Sequence, residues 1–131
     1  MLGRLMGKKL TPTSPGSIPW TGDQLVHGAA AKAWEGDPLT HNVITVRAQE
    51  QAQEAARELL PRLGEVDAPV LVLHGAEDPL SDAERSRALA GDGVQVQDLE
   101  GLLHHSLQGD GSDATHQALA DWLDQNVSAK D

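Results

Sequence analysis

The sequence predicts an α/β fold in which two parallel strands are flanked by helices. Residues 62–131 alternate strand, helix, strand and helix, which is typical of a right-handed crossover unit. The unbroken apolar run Val70–His74, set between Pro69 and Gly75, favours a strand that is covered on both faces. Two strands cannot cover their own faces and edges, so the pattern indicates a piece of a larger sheet.

The rest of this crossover unit follows from capping and periodicity. A helix is predicted over residues 82–90, since Asp82 can cap it and Gly91 ends it. Residues 94–99 alternate apolar and polar side chains, which favours an edge strand. A final helix is predicted over residues 112–127. We expect its buried stripe to consist of Leu119, Trp122, Leu123 and Val127.

The first half of the chain carries weaker signals. Residues 1–22 are rich in Gly, Pro, Ser and Thr, which predicts an irregular segment. Asp23 can cap a helix that runs to about Trp34. The alanine spacing over residues 43–60 predicts a longer helix, which Pro61 ends, and we expect its alanine stripe to be structural packing.

Composition excludes several classes of partner. The 131 residues include 20 acidic and 10 basic side chains, and the net charge of −10 predicts a surface that repels nucleic acid and anionic lipid. We recognise no membrane span and no signal-peptide core, so a soluble, cytoplasmic protein is expected. The absence of cysteine excludes disulfides and thiolate metal sites, and we expect no cofactor.

Two loops carry the candidate site residues. Asp78 lies three residues after Gly75, beyond the first strand, while His104 and His105 follow the second strand. Because parallel neighbours end at the same edge of a sheet, we expect a carboxylate and an imidazole to meet there. Such a carboxylate can hold a histidine in one tautomer and stabilise its charged form.

Other uses of these residues stay open. Asp78 precedes Pro79 and could be only a turn residue, while Asp98 could be a stand-in acid, although its position at a strand edge favours solvation. His74 is expected to pack at the end of its strand. A metal site is a rival use of the histidines, without the i, i+4 spacing of a zinc motif. Its ligands would be His104, His105 and His116 with Asp110 or Asp113.

These loops resemble those of the α/β-hydrolase superfamily, and in particular of monoacylglycerol lipases and serine aminopeptidase-like lysophospholipases. The stretch 69–79 is similar to the acid loop of that family, and Gly101-Leu102-Leu103-His104 is similar to its histidine loop. Gly36-Asp37-Pro38-Leu39 resembles the end of the cap region, and the helix with Trp122-Leu123 resembles the closing helix. The resemblance covers residues 22–127.

The resemblance implies a partial α/β-hydrolase fold with the last two parallel strands, flanking helices and the end of a helical cap. It divides the chain into an irregular segment (1–22), the end of the cap with a connecting helix (23–61) and the C-terminal strand-helix-strand-helix portion (62–131). Asp78 would be the triad acid and His104 the general base. Since only one of two adjacent histidines can face the acid, His105 is the alternative to His104.

The chain departs from the family in its serines. The family places its nucleophile in a Gly-x-Ser-x-Gly elbow, and the sequence contains none. We therefore expect the C-terminal portion of a carboxylic ester hydrolase for acyl glycerols, inactive alone. The other expectations are a non-catalytic module that joins a partner chain or a second copy through an exposed sheet edge, and a truncated, non-functional frame.

Overall fold

The computed structural model describes residues 4–5, 8–9, 15–17 and 20–127. The strands are β1 (Arg4–Leu5), β2 (Lys8–Lys9), β3 (Pro15–Ser17), β4 (Val43–Thr45), β5 (Val70–Gly75) and β6 (Val94–Leu99). The helices are α1 (Gly22–Leu25), α2 (Ala29–Gly36), α3 (Val46–Leu59), α4 (Ala83–Arg87) and α5 (Ser112–Asn126), with a 3₁₀ helix over Leu60–Glu65. Among these described residues, none of the helices has the length and apolar character that crossing a bilayer demands.

The parallel pair β5–β6 is the centre of the structure, as the sequence predicts. Its register runs from Val70 opposite Val94 to Gly75 opposite Leu99, so both strands end at the same edge. Helix α4 connects them and packs against both. The apolar residues 70–73 remain half-buried, so the expected cover on both faces of β5 is not found among the described residues.

The core lies beneath the loop that follows β6. Its buried apolar side chains come from α1 and its C-cap, from β6 and from that loop; they are Leu25, Val26, Val94, Leu99, Leu102 and Leu103. Thr115 of α5 is fully buried, and its hydroxyl donates to the Ser106 carbonyl oxygen at 2.7 Å. The core thus fixes the segment on which the candidate histidines lie.

Gly75 allows the two loops to approach each other closely. A Cβ atom at this position would collide with the carbonyl oxygens of Leu102 and Leu103. The backbone N–H groups of Ala76 and Glu77 donate to Leu99 O at 2.9 Å and to Leu102 O at 3.0 Å. A side chain at position 75 would therefore separate the acid loop from the histidine loop.

We expect Gly75→Ala to lower the free energy of unfolding by about 1–3 kcal/mol, because the added methyl group overpacks a site enclosed by backbone. Chemical denaturation of the variant measures this loss. Gly36→Ala is the matched control, since a Cβ at Gly36 meets nothing within 4 Å. Equal stability of the two variants would contradict the close approach.

Two parts of the first half differ from the predictions. The segment 1–22 contains the antiparallel pair of β1 with β2 and the strand β3, which pairs with β4 further along the chain. The other residues of positions 1–19 lie outside the described ranges. Pro15 is tolerated as the first residue of β3, a position where a strand can lack an N–H donor. The division into three segments stays a prediction.

The helix predicted from Asp23 to Trp34 is broken into α1 and α2. The break falls at Val26–Gly28, where Gly28 adopts a φ of +73°, a left-handed conformation that interrupts a helix. Helix α3 begins only at Val46, because Thr45 ends β4 and its hydroxyl caps the helix by accepting from Ala48 N. The expected helix is therefore confirmed with a later start, but its alanine stripe is exposed, so the packing expected for that stripe is not found among the described residues.

The predicted buried stripe of α5 is wrong in part. Leu119 and Trp122 are half-buried, but Leu123 and Val127 are 42% and 57% exposed. The apolar periodicity is present, and Trp122 lies beside the start of β5 and β6, but Leu123 and Val127 lie on the solvent side. The described residues therefore do not fully cover the apolar stripe of α5.

Candidate active site

The acid loop holds Asp78 in a turn directly after β5. The side chain of Asp78 is only 3% exposed. Its Oδ1 accepts from Leu80 N at 2.8 Å and more weakly from Ser81 N at 3.3 Å, while Oδ2 accepts from the Ser81 hydroxyl. The carboxylate is therefore fixed by donors of its own loop. Asp78 can therefore stabilise its own turn and also accept a hydrogen bond from a histidine.

The histidine loop brings His104 to the same carboxylate. His104 Nδ1 lies 2.9 Å from Asp78 Oδ2, and the imidazole is one-third exposed. Because an ionised carboxylate only accepts hydrogen bonds, Nδ1 is the donor and carries a proton. In the neutral ring Nε2 is then free of its proton and can accept one. The Trp20 ring lies 5.9 Å from the imidazole, between ring centroids.

The other candidate residues, His105 and Asp98, have different hydrogen-bond partners. His105 donates its backbone N–H to Leu25 O at 2.7 Å, and its ring centroid is 5.6 Å from that of His104. Burial, followed by the neighbouring positive charge of His104, lowers the pKa of His105. Asp98 Oδ2 accepts from Arg87 Nε on α4. The structure thus brings together Asp78 and His104, and leaves His105 and Asp98 with other partners.

The electrostatics of Asp78 favour its ionised form. Burial raises the pKa of this carboxyl, but hydrogen bonds from Ser81, His104 and the Leu80 N–H, with the charge of His104, outweigh it and lower the pKa from 3.8 to about 2. An ionised acid at neutral pH is what a neighbouring imidazolium requires.

This pKa shift predicts an acid-labile contribution to stability. A carboxylate whose pKa falls from 3.8 on folding stabilises the folded state above that value, and the contribution disappears as the pH falls toward about 2. We expect the loss to be about 2 kcal/mol. The measurement is denaturant unfolding at pH 5 and near pH 2 for the wild type and for Asp78→Asn. Identical pH dependence of the two proteins would contradict the shift.

The other histidines and cavities of the described residues do not form a comparable site. Among residues 20–127, no group of three or more His, Asp or Glu side chains could hold a metal ion. His116 instead lies 3.2 Å from the Leu107 carbonyl oxygen through its Nε2. A shallow cavity of about 260 Å³ lies beside the imidazoles and is lined by His104, His105, Ser106, Leu107 and Gln108. A larger cavity, of about 590 Å³ between α3 and Arg85, lies away from the acid and histidine.

Comparison with known proteins decides the family. The family model described as serine aminopeptidase, S33, matches residues 20–110, which is more than half of the chain. The chain belongs to this family. The resemblance inferred from the acid and histidine loops is thereby confirmed.

A comparison with a solved structure tests the fold of this member of the serine aminopeptidase S33 family. Its fold is similar to that of a monoacylglycerol lipase from Paleococcus ferrophilus, with a TM-score of 0.76 and 24% sequence identity. The match covers 86% of this chain and 46% of the lipase, so the chain spans about half the length of that enzyme. No curated protein sequence matches the chain. The fold is therefore a partial α/β-hydrolase fold, as the sequence predicts.

Three residues around Asp78 were not recognised as site residues from the sequence. They are Ser81, Ser86 and His74, of which the sequence predicts only that His74 packs at the end of its strand. Ser81 carried a usable signal, because Asp followed three residues later by Ser permits side chain to backbone hydrogen bonds within one turn. Ser86 carried none, since its contact with His74 depends on how α4 packs against β5.

Proposed function

We propose that this chain supplies the general base and the acid of a serine carboxylic ester hydrolase. The observation that carries the proposal is the 2.9 Å contact between His104 Nδ1 and Asp78 Oδ2, which leaves Nε2 able to take a proton. Family membership supports it. Because the sequence has no Gly-x-Ser-x-Gly elbow, the nucleophile comes from a polypeptide segment that these 131 residues do not contain.

The chemistry then follows from the two side chains. His104 Nε2 removes the proton of the serine hydroxyl as its oxygen attacks the ester carbonyl, and later gives that proton to the departing alcohol. Water, deprotonated by the same nitrogen, releases the acid from the acyl-enzyme. Asp78 holds the Nδ1–H tautomer and stabilises the imidazolium, and its low pKa keeps it ionised throughout.

The proposed substrates are esters of acyl glycerols. The support is the fold shared with a lipase that is described as acting on monoacylglycerols. The histidine loop contributes Leu107, which is 56% exposed beside the shallow cavity and offers apolar surface to an acyl chain.

The purified chain alone should not turn over p-nitrophenyl butyrate faster than its His104→Ala variant. It should also remain unlabelled by a fluorophosphonate probe, which reacts with activated serines. Both results are expected because the chain lacks a serine nucleophile and the oxyanion-hole donors. Such donors supply a large share of the rate in complete enzymes. Steady turnover that His104→Ala abolishes would contradict the claim that another segment provides the serine.

The positive test is expression of the chain together with the coding DNA directly upstream of Met1. We expect that DNA to encode a Gly-x-Ser-x-Gly elbow, and the resulting complemented enzyme to hydrolyse p-nitrophenyl butyrate and to label at that serine. Absence of such an elbow from the upstream product and from any chain that copurifies would contradict the proposal.

A second candidate function is a non-catalytic assembly module. The observation that favours it is that β5 and β6 pair only with each other among the described strands, so each presents an unpaired edge. Such an edge can accept a strand from a partner chain or from a second copy. Light scattering that shows a monomer, together with no binding of a dye specific for apolar surface, would contradict this candidate.

A further inference from the structure

His74 is a buried polar side chain that the proposed reaction does not use. It occupies the penultimate position of β5 and is only 7% exposed. Its Nδ1 lies 2.8 Å from Ser86 Oγ on α4, and its Nε2 is buried without a hydrogen-bond partner among the described residues. Leaving a buried N–H unpaired is unfavourable, so an apolar side chain would serve better if packing were the only role of this position.

The unpaired nitrogen faces the proposed triad acid. His74 Nε2 lies 3.8 Å from Asp78 Oδ2, the same oxygen that contacts His104 Nδ1. This separation is too long for a hydrogen bond but short enough for an N–H dipole on Nε2 to attract the carboxylate where water is excluded. A second carboxylate, that of Asp98, belongs to the register partner of His74 on β6, and Arg87 binds its Oδ2.

The two contacts of His74 favour one tautomer of its ring. The ionised Asp78 carboxylate attracts the N–H, which places the proton on Nε2. Nδ1 is then the acceptor, and the Ser86 hydroxyl donates to it. In this arrangement the Ser86 hydroxyl binds His74 Nδ1, and His74 Nε2–H faces Asp78 Oδ2 across 3.8 Å.

We propose that His74 is a positioning residue for the triad acid: its Nε2–H, fixed by Ser86, keeps Oδ2 of the Asp78 carboxylate directed at His104. The inference rests on the function proposed above for Asp78. A neutral donor suits this role, because it stabilises the carboxylate without placing a second positive charge beside the imidazolium that forms on His104. Ser81 and the Leu80 N–H hold the carboxylate from its own loop by hydrogen bonds, and His74 adds an electrostatic contact from the strand.

The test uses nuclear magnetic resonance of the whole chain and needs no catalysis. Nitrogen-15 shifts of the His74 ring should report a single tautomer with the proton on Nε2. The carboxyl carbon of Asp78 should titrate with a midpoint near 2 in the wild type. In His74→Ala that midpoint should rise, because an N–H that faces the carboxylate is lost.

Three further variants separate positioning from packing. His74→Gln retains an N–H donor near the same place and should return the Asp78 midpoint to within about 0.3 of the wild type. Ser86→Ala frees Nδ1, so the His74 ring should become a mixture of tautomers and the Asp78 midpoint should rise by less than in His74→Ala. His116→Ala, an exposed histidine on α5, is the matched control and should change neither reading.

A proton found on Nδ1 of His74 in the wild type would overturn the inference, as would an Asp78 midpoint that stays the same in every variant. If His74→Ala fails to fold, the wild-type tautomer and the titrations of His74→Gln and Ser86→Ala still decide. None of these readings depends on ester turnover, so failure of this inference is distinguishable from failure of the proposed function.

Discussion

Replacing His104 by alanine in the complemented enzyme is expected to lower kcat for p-nitrophenyl butyrate by about 10⁴-fold or more. The reason is that Nε2 of this ring is the group that receives the serine proton, and no other described imidazole contacts Asp78 Oδ2 within hydrogen-bond distance. KM should change little, because the ring contributes to proton transfer more than to substrate binding. Steady-state kinetics over a range of substrate concentrations measure both constants.

His105→Ala is the matched control, since it removes the same side chain one position further along the loop. We expect its kcat to fall by less than about tenfold, because the His105 side chain has no hydrogen bond to Asp78. Its backbone N–H, which donates to Leu25 O, is retained in the variant. Loss of activity in His105→Ala with activity retained in His104→Ala would assign the general base to the other histidine.

The second large effect is expected at the acid. Asp78→Asn in the complemented enzyme should lower kcat by about 10⁴-fold near neutral pH. The amide can donate to Nδ1 as well as accept from it, so the imidazole loses its preferred tautomer and the imidazolium loses its counter-charge. The variant keeps the size of the side chain, and a thermal melt followed by circular dichroism checks that the fold is retained.

Asp98→Asn tests the alternative acid with the same chemical change. Its carboxylate is bound to Arg87, and it lies on β6 before the histidine loop rather than at His104. We expect kcat within about threefold of the wild type, with some loss of stability from the broken ion pair. A larger loss of kcat in Asp98→Asn than in Asp78→Asn would show that Asp78 is only a turn residue.

Much of the site could be predicted because it depends on local signals. The Pro69 and Gly75 boundaries delimit β5, alternation identifies β6, and parallel pairing then places both loops at one edge. The contact between Asp78 and His104 follows from that topology without any knowledge of side-chain packing. The geometry places His104 and not His105 at Asp78, as the resemblance of Gly101-Leu102-Leu103-His104 to the histidine loop implies.

The features that could not be predicted depend on contacts distant in sequence. Pairing of Pro15–Ser17 with Val43–Thr45 joins segments separated by two helices, and nothing in either segment specifies the other. The contact of His74 with Ser86 needs the position of α4 on the sheet. The exposure of Leu123 depends on which surfaces lie beside α5, which its own periodicity does not specify.

The central claim is that the Asp78 carboxylate binds the imidazole of His104, and a proton spectrum of the purified chain tests it most directly. A proton held between Nδ1 and a carboxylate resonates far downfield of the amide region. We predict such a resonance, assigned to His104 Hδ1, that is present in the wild type and in Asp98→Asn and absent from Asp78→Asn. A His104 ring with its proton on Nε2, or a spectrum that Asp78→Asn leaves unchanged, would contradict the account.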